Sequence, residues 1–168
     1  MNISEFKKLK SPYILILVGP PLSGKSFFYR RFVSEIDNNV VLICRDEILM
    51  EVYGSRDYDK AFANVDQKEV DRVLHQKMVD ANKNKDNVII DMTHMNSKRR
   101  KHNLDYFDND YYKLCVIFPL LSDEEYERRN QKRMKEENKN LPMHIVKRMI
   151  SQYQSIRQDE GFDKVISL

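Results

Sequence analysis

The chain has few of the residues that mark secreted, metal-bound or membrane proteins. Its two cysteines, Cys44 and Cys115, both lie in apolar, strand-like runs, which suits reduced core thiols rather than a disulfide or a metal pair. The four histidines, His75, His94, His102 and His144, show no ligand spacing. No apolar run approaches the roughly 18 residues that cross a bilayer, and no signal peptide is visible. A cytoplasmic protein without a membrane partner is therefore expected. Neither sign of charge is in large excess. The net charge is +3 with 33% of residues charged, which permits nucleic-acid contact without demanding it. Glycine is scarce too, with four in 168 residues, and two of these occupy fixed positions of one short motif.

That motif is Gly19-Pro20-Pro21-Leu22-Ser23-Gly24-Lys25-Ser26, which satisfies G-x-x-x-x-G-K-[ST] at every fixed position. It follows the apolar run 13–18 and opens into Phe27-Phe28-Tyr29-Arg30-Arg31-Phe32, a helix start. Strand, glycine loop and helix are the context the motif requires. Backbone amides of such a loop, with the positive end of the following helix, form a nest for nucleotide phosphates. The residues from Gly19 to Ser26, with Phe27 beside them, are thus the expected ATP-binding segment. Lys25 is expected to reach the β- and γ-phosphates, and the Ser26 hydroxyl to hold Mg²⁺.

The length suits one domain, residues 1–168, with a sizeable core. Five short apolar runs read as strands covered on both faces: 13–18, 40–44, 88–90, 114–118 and 165–168. Helical patterns lie between them. Val70, Val73, Leu74, Met78 and Ala81 make one stripe of an amphipathic helix. Ser122-Asp123-Glu124-Glu125 reads as a capping box, and Pro142 stands where a last helix begins. The alternation predicts an α/β fold of the P-loop NTPase type, a parallel five-stranded sheet with helices on both faces. The stretch 128–140 has almost no apolar residues and reads as a helical lid or an exposed loop, the whole lid region being about 122–142.

In open parallel sheets ligands sit at the carboxyl ends of the strands. Arg45-Asp46-Glu47 follows the second strand and Asp91-Met92-Thr93-His94 the third, so both segments place a carboxylate beside the phosphate loop. One such acid would coordinate Mg²⁺ directly or through water, and the other would accept a proton from an attacking hydroxyl. The plainer alternatives are that Asp46 caps the helix 47–52 and that Asp91 merely ends a strand. Arg128, Arg129, Lys132 and Arg133 cluster after the fourth strand. Arg129 and Arg133, four apart, share a face, either as solvated charge or as positive charge for a migrating phosphoryl group.

Together these segments resemble the 5′-kinase domain of phage polynucleotide kinases, within the wider P-loop kinase family. That domain shows a loop of the form G-x-P-G-S-G-K-S, an R-D-D segment after strand two, a D-T-N or D-x-T-N segment after strand three, and an R-N-x-K-R lid. The matching segments here are Gly19 to Ser26, Arg45-Asp46-Glu47, Asp91-Met92-Thr93-His94 and Arg129-Asn130-Gln131-Lys132-Arg133. The resemblance covers nearly the whole chain. It implies ATP and Mg²⁺ as cofactors, and the 5′-hydroxyl of a DNA or RNA end as acceptor, in the host cytoplasm if the chain is phage-encoded. It makes Asp46 the general base and has Lys25 and Ser26 hold phosphates and Mg²⁺. By the same resemblance Arg133 would stabilise the transferring charge with help from Arg129, Asp91 and Thr93 would order the acceptor or metal side, and Arg45 would belong with the substrate-binding residues. Three positions depart from the pattern. Leu22 replaces a frequent glycine, His94 an asparagine, and Leu49 an arginine that grips the acceptor's phosphate. Leu49 favours a small-molecule kinase acting on a nucleoside, nucleotide, sugar nucleotide or antibiotic. The basic run Lys98-Arg99-Arg100-Lys101, together with Arg56, favours a nucleic-acid strand, unless that run is only a solvated helix face. A nucleotide-switch module fits least, because no Asn-Lys-x-Asp guanine-reading segment is present.

Overall fold

Strand β1 (Tyr13–Val18) is buried along its whole length, and everything else is arranged around it. The computed structural model describes residues 3–137, 139 and 141–168, so Asn138 and Asn140 of the expected lid lie outside the described residues. The remaining strands are β2 (Val41–Cys44), β3 (Val88–Asp91), β4 (Tyr112–Ile117) and β5 (Lys164–Ser167). The sheet order is β2-β3-β1-β4-β5 and every pairing is parallel. All five expected strands are present, β1 with the expected bounds and the other four with ends shifted by one or two residues.

Side chains alternate across a strand, so β1 feeds two separate cores. Ile14, Ile16 and Val18 join one core with Ile43, Leu49, Val70, Met78 and Leu104. Tyr13, Leu15 and Leu17 join the other with Phe6, Phe28, Phe32 and Phe118. Each fully buried aliphatic side chain contributes about 1.5–3 kcal/mol of transfer free energy, which makes the loop-bearing strand the best-anchored element. The first face is covered by α2 (Arg45–Tyr53), α3 (Tyr58–Asn64), α4 (Gln67–Asn84) and α5 (Ser97–Leu104). The second is covered by α1 (Lys25–Glu35) and a 3-10 turn (Ser4–Lys8). The predicted stripe on α4 holds: Val70, Met78 and Ala81 are buried, while Val73 and Leu74 pack against them.

After β4 come α6 (Asp123–Glu137) and α7 (Met143–Ser151), the latter preceded by Pro142 as expected. Only half of the expected capping box forms. The Ser122 hydroxyl accepts from the Glu125 amide at 3.3 Å, but the Glu125 carboxylate is taken by Arg128 and Arg129. Asn130 fastens α6 to the chain returning toward α7. Its amide nitrogen donates to the Leu141 carbonyl and its oxygen accepts from the Leu141 amide, both at 3.0 Å.

Candidate active site

Strand β1 has β3 on one side and β4 on the other, so chain direction outward from it reverses there, and the loop Gly19–Ser26 issues from that switch point. The Gly19 amide donates to the Thr93 carbonyl at 3.0 Å, which ties the loop to the end of β3. Gly19 has no room for a side chain, since a Cβ there would lie 2.8 Å from Ser23 Oγ and 2.9 Å from Phe118 Cβ. Gly24 adopts φ 109° and leads into α1. No side chain caps this helix and no acid lies in its first turn, so its first amides and positive dipole end are left for an anion. Among the described residues, Ser23 Oγ is a buried side-chain polar atom without a hydrogen-bond partner. An orphaned hydroxyl beside open amides fits a phosphate-bearing ligand. Ser26 and Phe27 are exposed at the start of α1.

Lys25 is buried, and its Nζ donates to the carbonyls of Gly19 at 2.9 Å and Pro20 at 2.8 Å. Burial lowers its pKa, and the charges of Asp91 and Asp46 oppose that shift. Asp91, the last residue of β3, is pushed the other way. Burial raises its pKa, Lys25 pulls it down, and Asp46 adds to the rise. Three elements therefore bring Lys25, Asp46 and Asp91 into one electrostatic cluster. Asp46 is exposed in the first turn of α2 and is not its cap. Cys44 occupies the N-cap position, so the capping alternative for Asp46 is set aside. The Cys44 thiol is pushed up to about 12, mainly by burial, and is inert.

Arg129 lies across the loop: it pairs with Glu125 at 2.7 Å and donates to the Leu22 carbonyl at 2.9 Å. Arg133 acts on both Lys25 and Tyr58 through its charge. Arg128 points elsewhere and pairs with Glu125 in the open. Arg45 is engaged by α4, through Gln67 at 3.0 Å and Asp71 at 2.9 Å. Thr93 contributes its backbone carbonyl to the loop.

At three places the structure adds what the sequence did not show. Leu49 is 1% exposed and packs within the core. His94 is fully buried: Nδ1 donates to the Leu17 carbonyl and Nε2 accepts from Asn103, both at 2.8 Å. That pattern requires the neutral ring, and burial lowers its pKa to about 4. The run Lys98–Lys101 is not one solvated face, because Arg100 is buried against Glu160 at 2.6 Å. Tyr58, which the sequence gave no reason to single out, interacts with both Asp46 and Arg133. Its pKa is pushed up to about 12 by burial and then by Asp46, with Arg133 opposing.

A family model described as AAA domain matches residues 14–156. A chain in the structure of the Pnkp1/Rnl/Hen1 RNA repair complex is 25% identical, with a TM-score of 0.69. The match covers 89% of this chain and 46% of that one, so this chain spans about half the length of that relative. Two further structures show the fold alone. Kti12 from Chaetomium thermophilum, in complex with ADP-AlF3, is 16% identical with a TM-score of 0.63, over 92% of this chain and 88% of that one. A gluconokinase from Sinorhizobium meliloti 1021 is 8% identical with a TM-score of 0.54, over 94% and 82%.

Proposed function

The chain belongs to the AAA domain family, and from that premise we propose that it transfers the γ-phosphoryl group of ATP to the 5′-hydroxyl of a DNA or RNA end. Its P-loop fold is kinase-like and capable of ATP-dependent phosphotransfer. The observation that carries the reading is the meeting of Lys25, Asp46 and Asp91 at the carboxyl ends of the strands. Kinship with a chain of an RNA repair complex supports the choice of a nucleic-acid end as acceptor.

The loop amides and the start of α1 hold the triphosphate. Lys25 has three N–H bonds and spends two on loop carbonyls, which leaves one for a phosphate oxygen. The acceptor oxygen attacks the γ-phosphorus, Asp46 takes its proton, and the bond to the β-phosphate oxygen breaks to release ADP. Arg133 adds positive charge where the migrating group is most negative, and Arg129 braces the loop through Leu22. Mg²⁺ would be held by the Ser26 hydroxyl with Asp91 nearby, and would neutralise phosphate charge.

Asp46→Asn keeps the shape and removes the base. It is expected to bind ATP normally and to transfer phosphate at least about 100-fold more slowly to a 5′-hydroxyl oligonucleotide. A folded variant with an unchanged rate sinks the base assignment. If labelled ATP marks a nucleoside or sugar nucleotide but no oligonucleotide at any salt, the acceptor is a small molecule.

A further inference from the structure

The basic run on α5 divides three ways. Arg100 enters the core, Lys98 and Lys101 face solvent, and Arg99 opens onto a cavity. This cavity, about 280 Å³, lies among α2, α4 and α5, and its wall includes Arg45, Met92, His75, Arg99, His102 and Tyr106. Arg45 is the chain neighbour of Asp46 and Met92 that of Asp91, so the cavity adjoins the cluster that holds the proposed base. Arg99, His102, Asn103 and Tyr106 follow each other at i, i+3, i+4 and i+7, one face of the helix and its exit.

The lining has the chemistry of a nucleotide seat. Met78, Met92 and Leu74 give it an apolar floor. Tyr106 meets the rings of His75 and His102 edge-on, each with centroids 5.3 Å away. The Arg45 charge is answered by Asp71. Among the described residues the Arg99 guanidinium makes no hydrogen bond or ion pair, although its backbone amide is capped by Asn96. An unpaired, forked donor on the wall of a mostly polar cavity that also holds Leu74, two methionines and a cluster of rings suits a phosphate attached to a nucleoside.

We infer that this cavity seats the acceptor, and that Arg99 holds the phosphate on the 3′ side of the nucleoside bearing the reacting hydroxyl. That the bound nucleoside is the acceptor rests on the kinase reading above; the binding itself does not. The probes are adenosine, adenosine 3′-monophosphate and the dinucleoside monophosphate ApA, titrated calorimetrically into the wild-type chain, Arg99→Ala and Arg99→Lys. Wild type is expected to prefer a phosphate-bearing probe to adenosine. Arg99→Ala should weaken that probe by at least about tenfold while leaving adenosine and ATP unchanged, and Arg99→Lys should restore part of the loss. Dependence confined to the monophosphate points to mononucleotide acceptors, and dependence in ApA as well points to strands; either supports the site. Equal affinity of wild type for all three probes, or losses in Arg99→Ala that do not track the phosphate, overturns it. Arg99-dependent binding without any transfer from ATP retires the kinase reading and keeps the site. Transfer to a 3′-phosphate acceptor whose KM ignores Arg99→Ala does the reverse.

Discussion

Leu22 and His94 stand beside the proposed site with backbones in the left-handed region, at φ 66° and φ 49°. Side chains adopt that region at a cost of roughly 1–2 kcal/mol, from which glycine is free and asparagine partly so. These are the residues the polynucleotide-kinase pattern has at the two positions. The departures were legible in the sequence, but their backbone angles were not, because φ at a loop position follows from closure of the whole turn. His94 is held in place by bonds at both ring nitrogens, which dictates its behaviour in acid. Its folded pKa of about 4 lies below the ordinary 6.5. The stabilising contribution is therefore complete above about pH 6.5 and is lost as pH falls toward 4, up to roughly 3 kcal/mol. Urea midpoints of wild type should drop from pH 7 to pH 5 more than those of His94→Asn, which cannot titrate; parallel drops would remove His94 as the cause. Leu49 teaches a different lesson. Placing the pattern's arginine there would put an unpaired charge into the core, so Leu49→Arg is expected to lose several kcal/mol of stability and to gain no grip on acceptors. Thermal unfolding separates this from a well-folded variant with tighter acceptor binding.

Helix α6 shows what spacing reveals about an element and what it conceals. That Arg129 and Arg133 share a face could be read from their four-residue separation. Which way that face points could not, since it depends on Ser122, Glu125 and Asn130 fixing the helix against the loop and the returning chain. Arg133→Ala is expected to lower the transfer rate constant far more than it weakens ATP binding, while Arg128→Ala stays near wild type. Equal mild losses at both positions would make the cluster a solvated surface. Helix α4 was legible because its apolar stripe runs from Val70 to Ala81 within a helix of 18 residues. Helix α3 was not, having seven residues and one buried side chain, Ala61. Tyr58 went unnoticed with it, since nothing in its local sequence hints that the turn before it brings its ring to Asp46.

At the scale of the whole molecule, five apolar runs separated by helices sufficed to imply the parallel sheet, because strands covered on both faces leave little choice of pattern. The contacts that close the far side of the fold were invisible, as they join residues distant in sequence. Arg100 is one of these. It meets Glu160 through two bonds and also reaches the carbonyls of His94 and Ser155, so it ties α5 to the approach to β5. Glu160→Gln leaves the buried guanidinium without its counter-charge and is expected to cost about 3–5 kcal/mol in urea unfolding; a change within 0.5 kcal/mol would show the pair to be dispensable. The two bonds between Asn130 and Leu141 have a mechanical consequence. One amide side chain grips both polar groups of a single distant residue, as a neighbouring strand would, so α6 and the start of α7 are geared together. Arg129 and Arg133, both carried on α6, are then expected to move as one unit with the start of α7 when nucleotide binds. Hydrogen exchange at the Leu141 amide should slow in step with that of α6 when nucleotide binds, and Asn130→Ala should uncouple the two.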